Sequence, residues 1–146
     1  MRDMEAKQTM ELFREHLSPA EIAALPTLTL AHVGDGVYEL LARGDAVHSG
    51  ACKVAEAHRR TVAMVAAPVQ AKAAAYILPQ LTAEEKALFL RGRNTRVHTI
   101  PRNATIRDYA YATGLETLLG ALYLSGAADR VQALWELMRE GLHGQA

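Results

Sequence analysis

Cysteine, aromatic residues and long apolar runs are all scarce in this chain of 146 residues. Cys52 is the single cysteine, which excludes a disulfide framework and a zinc site built on cysteines, and fits a reducing compartment. No apolar run approaches the ~20 residues that span a membrane. The charged segment 1–17 is unlike a signal peptide. We therefore expect a cytoplasmic protein with no membrane partner.

The composition and the helix-start patterns favour an all-α fold. Ala and Leu are abundant while Val and Ile are sparse, which favours helices over strands. Capping boxes at Ser18–Glu21 and Thr82–Glu85 predict two helix starts. No segment alternates with period two for long enough to predict a strand. We predict one domain over residues 1–146, with about seven helices, no significant sheet and an N-terminal extension at 1–19.

The charge is unevenly distributed, although the formal net charge is zero. Residues 51–107 hold ten Lys and Arg against three acidic residues. Residues 1–50 hold four Lys and Arg against eight acidic residues, and residues 108–146 hold two Lys and Arg against five acidic residues. A basic middle between acidic ends indicates a polyanion partner for the middle segment. A solvated basic surface with no partner is the alternative.

Asp35 is the first unusual carboxylate, because it lies in an apolar stretch between Gly34 and Gly36. An ionised carboxylate is costly in such a stretch unless it is paired. Each glycine costs a helix interior about 1 kcal/mol relative to alanine. Two interpretations stay open from these residues. Asp35 is either a functional carboxylate or the N-cap of a loop between two short helices.

Glu116 repeats this pattern in the helix predicted over 106–125, among leucines and between Gly114 and Gly120. Two isolated acids on two glycine-bearing helices predict a metal site, because hard cations prefer carboxylate and water ligands. Repulsion between close carboxylates also favours a bound divalent cation. A pair of structural acids is the alternative.

Four further side chains are weaker candidates. Glu39 lies one turn after Asp35 and His32 lies three residues before it, but an exposed charge and a packed helix histidine explain them more simply. Asp45 and Asp108 are better explained as loop or cap residues.

Several motifs occur in a fixed order along the chain: Gly34-Asp35, then Arg91-Gly92-Arg93-Asn94 in a loop, Pro101-Arg102-Asn103, Tyr109-x-Tyr111-x-Thr113, and Glu116-Thr117-Leu118-Leu119-Gly120-Ala121. In these motifs the chain resembles the catalytic domain of ribonuclease III. It is most similar to the Mini-ribonuclease III branch, which lacks a double-stranded-RNA-binding domain. The resemblance covers roughly residues 20–143.

The chain departs from the fuller family pattern at three positions. The family carries acids seven and four residues before the aspartate, where this chain has Leu28 and Ala31. It also carries an aspartate three residues before the glutamate, where this chain has Thr113. The Mini-ribonuclease III branch similarly lacks some of these acids, so Asp35 and Glu116 would hold the metal nearly alone.

The resemblance implies an Mg²⁺-dependent endoribonuclease that acts as a homodimer on double-stranded RNA and leaves 5′-phosphate ends. It also implies a role in maturing the ends of precursor 23S ribosomal RNA, which could be bound within the large ribosomal subunit. Asp35 and Glu116 are the expected catalytic and metal-binding residues. The expected RNA-binding residues are Lys53, Arg59, Arg60, Arg91, Arg93, Asn94 and Arg102.

Two other functions remain open from the sequence. A non-catalytic helical RNA- or ribosome-binding protein would keep the basic middle without cleavage. A helical dimerisation or adaptor protein would use the glycines for close helix packing and would need no cation.

Overall fold

Seven α-helices and one 3₁₀ turn form the part of the chain that the computed structural model describes, residues 17–95 and 104–144. No strand occurs among these residues, so the all-α prediction and the predicted helix number are confirmed. The helices are α1 (Pro19–Ala24), α2 (Thr27–His48), α3 (Val54–Val65), α4 (Ala67–Ile77), α5 (Ala83–Arg93), α6 (Ile106–Leu124) and α7 (Ala128–His143), with the 3₁₀ turn at Leu78–Gln80.

Both predicted capping boxes are present at helix starts. At α1 the backbone N–H of Glu21 donates to Ser18 Oγ, while the Ser18 N–H donates to the Glu21 carboxylate, each at 3.1 Å. Thr82 and Glu85 form the same reciprocal pair at α5. These bonds satisfy backbone donors that an α-helix leaves unpaired in its first turn.

Helix α6 is the centre of the core. Leu115, Leu118 and Leu119 on it have no exposed surface, and the helix packs against α2, α4, α5 and α7. A helix surrounded in this way is apolar on all sides rather than along one stripe. This burial explains why Glu116 stood out in the sequence.

Tyr38 ties α2 to its neighbours. Its ring is fully buried and packs edge-on against Trp135, with ring centroids 5.7 Å apart. Its hydroxyl donates to the carbonyl oxygen of Met64 at 2.9 Å. Burial is the main reason that the pKa of Tyr38 lies above its ordinary value. The contacts hold α2 in a fixed rotation, one turn beyond Asp35.

Two predictions of local structure were wrong. Arg91 lies within α5 rather than in a loop, because the helix continues to Arg93. Asp45 lies in the last turns of α2 and is buried, with its Oδ1 2.6 Å from Arg139 Nε and its Oδ2 3.4 Å from His143 Nε2. Sequence spacing gave no sign of this ion pair, since its partners lie on α7.

No single helix in the described part of the chain has the length and hydropathy to cross a membrane. Among the helices of residues 17–95 and 104–144, one pair bent by 59°, α3 with α4 and the 3₁₀ turn, passes the test for length and hydropathy when taken together.

Candidate active site

The crossing of α2 and α6 brings Asp35 and Glu116 together. A Cβ added to Gly34 would overlap the backbone carbonyl oxygen of Glu116. A Cβ added to Gly120 would overlap the carbonyl oxygen of Leu30. The two helices therefore touch backbone to backbone at Gly34 and Gly120. Any larger residue at either position would separate the helices.

The other glycines near the two acids do not share this role. A Cβ on Gly36 would meet nothing within 4 Å, and one on Gly114 would meet Phe89 of α5 rather than α2. Gly36 and Gly114 therefore take no part in the contact between α2 and α6.

Asp35 and Glu116 line the same cleft, and Asp35 lies close enough to contribute to the raised pKa of Glu116. Asp35 is exposed and Glu116 is half-buried. Asp35 cannot be an N-cap, because α2 runs without a break from Thr27 to His48. The interpretation of Asp35 as a cap between two short helices is thus excluded.

Glu116 holds its proton unusually tightly. Burial, the hydrogen bond with Asp35 and the Asp35 charge together raise the pKa of Glu116 from 4.5 to about 8, with burial the largest cause. A carboxylate pair of this kind is difficult to ionise fully without a positive charge beside it. A divalent cation would supply that charge.

An open cleft of about 370 Å³ contains both carboxylates. Its lining includes Leu28, Ala31 and Thr113, the three positions where the fuller family carries acids. Val65 on α3, Gln70 on α4 and Tyr109 on α6 complete the wall. A second cavity of about 440 Å³, lined mainly by apolar side chains of α1 and α5, has no carboxylate pair.

The donor set of the cleft suits a hard cation that keeps several water ligands. Within residues 17–95 and 104–144 no group of three or more His, Cys, Asp or Glu side chains is arranged around one point. Two carboxylates and water match the way Mg²⁺ is commonly bound, through one or two carboxylates and retained waters. Soft metals would need thiolate or additional imidazole ligands.

The weaker acidic candidates have other partners. Glu39 is partly exposed and accepts from Arg43 at 2.9 Å, one turn further along α2. Asp108 lies in the first turn of α6, where its N–H donates to Thr105 Oγ1. His32 is exposed and lines the cleft, so it is not the packed helix histidine that was the simpler expectation, and it stays a weak candidate for assisting Asp35.

The predicted RNA-binding residues fall into three groups. Lys53, Arg59 and Asn94 are exposed. Arg60 contacts Glu56 and Ser49, and Arg93 donates to Asn94 Oδ1 at 3.2 Å. Arg102 lies outside the described residues.

Arg91 forms contacts inside the protein. Its Nε donates to Thr27 Oγ1 at 2.8 Å and its Nη2 donates to the carbonyl oxygen of Leu25. These bonds tie the end of α5 to the start of α2. Its role in RNA binding stays a prediction, and only the part of the guanidinium other than Nε and Nη2 would be free to contact RNA.

Comparison with known proteins identifies the class to which this fold and site belong. The family model for the ribonuclease III domain matches residues 28–127, a span that contains both Asp35 and Glu116. The chain belongs to the ribonuclease III family and is an endoribonuclease.

Within that family the chain groups with the proteins named Mini-ribonuclease 3. It is 42% identical over 131 residues to the Synechocystis protein of that name, covering 86% of this chain and 90% of the relative. It is 40% identical over 107 residues to that of Symbiobacterium thermophilum, covering 73% and 82%. The crystal structure of protein FN1578 from Fusobacterium nucleatum superposes with a TM-score of 0.73 at 28% identity, covering 81% of this chain and 94% of that one.

Proposed function

We propose that this protein is an Mg²⁺-dependent endoribonuclease that cleaves double-stranded RNA, with Asp35 and Glu116 as the residues that bind the cation. The observation that supports the proposal best is the carboxylate pair at the glycine-lined crossing of α2 and α6. Its substrate is a structured precursor of 23S ribosomal RNA, and it acts in the cytoplasm as a homodimer.

The chain's own residues supply position and charge at this site. Asp35 is accessible from the cleft, so it can reach a ligand directly, while the half-buried Glu116 is held on the central helix. When bound, a divalent cation provides an activated water and neutralises charge on the scissile phosphate. Because both carboxylates stand on backbones in direct contact, their spacing is set before substrate arrives.

Recognition of the duplex is proposed to depend on phosphate contacts rather than on base reading. Lys53 and Arg59 are exposed and lie on or beside α3, the helix whose last residue, Val65, lines the cleft. Duplex RNA is recognised mostly through its shape, its phosphates and its 2′-hydroxyls. Arg59→Gln should therefore weaken binding to all duplex sequences similarly and lower the salt dependence of binding, with Arg43→Gln as the control.

Exposed apolar side chains support the proposed homodimer. Leu40 and Val47 on α2 and Val54 on α3 are 72%, 62% and 85% exposed. Val47 and Val54 line one surface cavity, and grouped exposed apolar side chains mark association sites more often than isolated ones do. Light scattering behind size-exclusion chromatography measures the mass directly, and a mass of one chain at micromolar concentration would contradict this part of the proposal.

The central experiment compares four proteins on one ribosomal-type RNA stem: the unmodified protein, Asp35→Asn, Glu116→Gln and Glu39→Gln. Glu39→Gln is the matched control, because it removes a partly exposed acid from the same helix as Asp35. We expect cleavage in Mg²⁺, none in EDTA, and at least about a 100-fold loss in both site variants, since loss of a metal ligand exceeds the 10–100-fold typical of an outer-shell partner.

Two results would contradict the proposal in different ways. Cleavage that persists in EDTA or in both site variants would exclude the carboxylate site. Tight duplex binding by the unmodified protein with no cleavage would favour a non-catalytic RNA-binding protein instead.

A further inference from the structure

Gln70 on α4 is a buried polar residue that the proposed chemistry does not yet use. The residue is 4% exposed. Its Nε2 donates to the carbonyl oxygen of Val65 at 2.9 Å, but its Oε1 is buried without a hydrogen-bond partner among the described residues. A buried acceptor left unpaired is costly and rare in folded proteins, so it calls for an explanation.

The break between α3 and α4 fixes the orientation of this amide. Ala66 is extended (φ −60°, ψ 139°) and Pro68 follows in the first turn of α4. The N–H groups of Val69 and Gln70 both donate to the Ala66 carbonyl, and the Val65 carbonyl accepts from the Gln70 side chain. Because Nε2 is committed to Val65, the amide cannot rotate to hide its oxygen.

Gln70 also lines the cleft that contains Asp35 and Glu116. A cation held by only two carboxylates keeps several waters, and the outward hydrogens of those waters need acceptors. The positions that carry acids in fuller members of the family are here Leu28, Ala31 and Thr113. Leu28 and Ala31 have no side-chain acceptor, so the Thr113 hydroxyl, whose hydrogen is donated to the Tyr109 carbonyl, is the one side-chain acceptor at these three positions.

We propose that Gln70 is a positioning residue whose Oε1 accepts a hydrogen bond from a water bound to the cation at Asp35 and Glu116. This inference rests on the proposed function, since it requires the cation. When the cation is bound, one of its waters would donate a hydrogen bond to the otherwise unpaired Gln70 Oε1. Helix α4 would then help to position the cation, in addition to α2 and α6.

The test measures cation binding without RNA, so it does not depend on activity. Mn²⁺ binding is followed by electron paramagnetic resonance and Mg²⁺ binding by calorimetry, for the unmodified protein, Gln70→Met and Gln132→Met. Gln132 is an exposed glutamine on α7 and serves as the matched control. We expect Gln70→Met to bind either cation 10–100-fold more weakly and Gln132→Met to bind normally.

Thermal unfolding separates positioning from a purely structural role. For a positioning residue, the melting temperature in EDTA changes little in Gln70→Met, while the increase that Mg²⁺ produces shrinks. A lower melting temperature in EDTA with unchanged cation affinity would overturn the inference, because Gln70 would then matter only through its bond to Val65.

A second variant keeps the inference falsifiable if Gln70→Met does not fold. Gln70→Glu places a carboxylate beside the proposed water and should bind Mn²⁺ at least a few-fold more tightly than the unmodified protein. Unchanged or weaker binding would show that position 70 does not reach the cation's waters, while the proposed nuclease function would stand. Absence of Mn²⁺ binding by the unmodified protein would overturn both.

Discussion

Replacing Glu116 by glutamine should stabilise the protein in the absence of metal. The glutamine is nearly isosteric but carries no charge, so it removes both the burial of a carboxylate and its repulsion with Asp35. Active sites commonly carry such destabilising groups, which is the physical origin of many stability–activity trade-offs. The prediction therefore tests whether the Asp35–Glu116 pair is strained as the structure indicates.

The expected gain in unfolding free energy of Glu116→Gln follows from the linkage between protonation and folding. The pKa of Glu116 is raised in the folded protein to about 8 from 4.5, so between these pH values the folded state binds more protons than the unfolded state. The free energy of unfolding then falls as the pH rises, by about 1.4 kcal/mol for each pH unit. Relative to the unmodified protein, Glu116→Gln should gain about 1.4 kcal/mol at pH 5.5, about 3 at pH 7 and about 5 above pH 8.

Urea unfolding in EDTA, followed by circular dichroism at these three pH values, measures the gain directly. Asp35→Asn should give a smaller gain of the same sign, because it removes the partner but leaves Glu116 buried. Glu39→Gln is the control and should change the unfolding free energy by no more than about 0.5 kcal/mol, since it breaks only an exposed pair.

Adding Mg²⁺ should narrow the difference in unfolding free energy between Glu116→Gln and the unmodified protein, because only the unmodified protein binds the cation well. A ligand at 100 times its dissociation constant stabilises the protein that binds it by about 2.7 kcal/mol. A Glu116→Gln protein that is less stable than the unmodified one in EDTA at pH 8.5 would refute the reasoning. So would a gain that is the same at pH 5.5 and pH 8.5.

Two further predictions concern packing and charge elsewhere in the fold. Gly34→Ala should lower stability by roughly 3 kcal/mol or more, because the added methyl meets the Glu116 backbone. Gly36→Ala, two residues away in open space, should raise stability by up to about 1 kcal/mol. Equal melting temperatures for these two variants would contradict the close helix crossing. Arg130→Met should cost about 1–3 kcal/mol at pH 7, because it leaves the buried Glu85 carboxylate without its guanidinium. Arg130 lowers the pKa of Glu85, so this cost should shrink in urea titrations as the pH falls from 7 through the folded-state pKa, and a cost that stays the same at every pH down to acid unfolding would contradict the assignment.

Local patterns were sufficient to predict the helices. The capping boxes at Ser18 and Thr82 and the cap at Thr105 mark helix starts that the structure reproduces. Such signals work because the interactions connect residues three apart in sequence. The two isolated acids, Asp35 and Glu116, were also recognisable, because an acid flanked by glycines in an apolar helix has few structural explanations.

Long-range partners could not be predicted from a single sequence. From the sequence, Asp45 and Arg91 both resembled loop residues. In the structure Asp45 pairs with Arg139 on α7, and Arg91 donates to acceptors at the start of α2. Gln70 left one weak signal, an amide in an alanine-rich segment just after Pro68. Its significance depends on a cleft that four helices assemble, which spacing along the chain does not reveal.

The contact between Gly34 and the Glu116 backbone limits how this site can be altered. Because α2 and α6 touch main chain to main chain, repacking side chains cannot move the two helices apart, so the distance between the Cα atoms of Asp35 and Glu116 is effectively fixed. The adjustable quantity is side-chain length: Asp35→Glu would extend one ligand by a single methylene while both helices stay in register. Attempts to change the preferred cation, or to design an inhibitor that bridges both acids, can therefore treat the separation of the two Cα atoms as a constant and vary only the reach of the ligands.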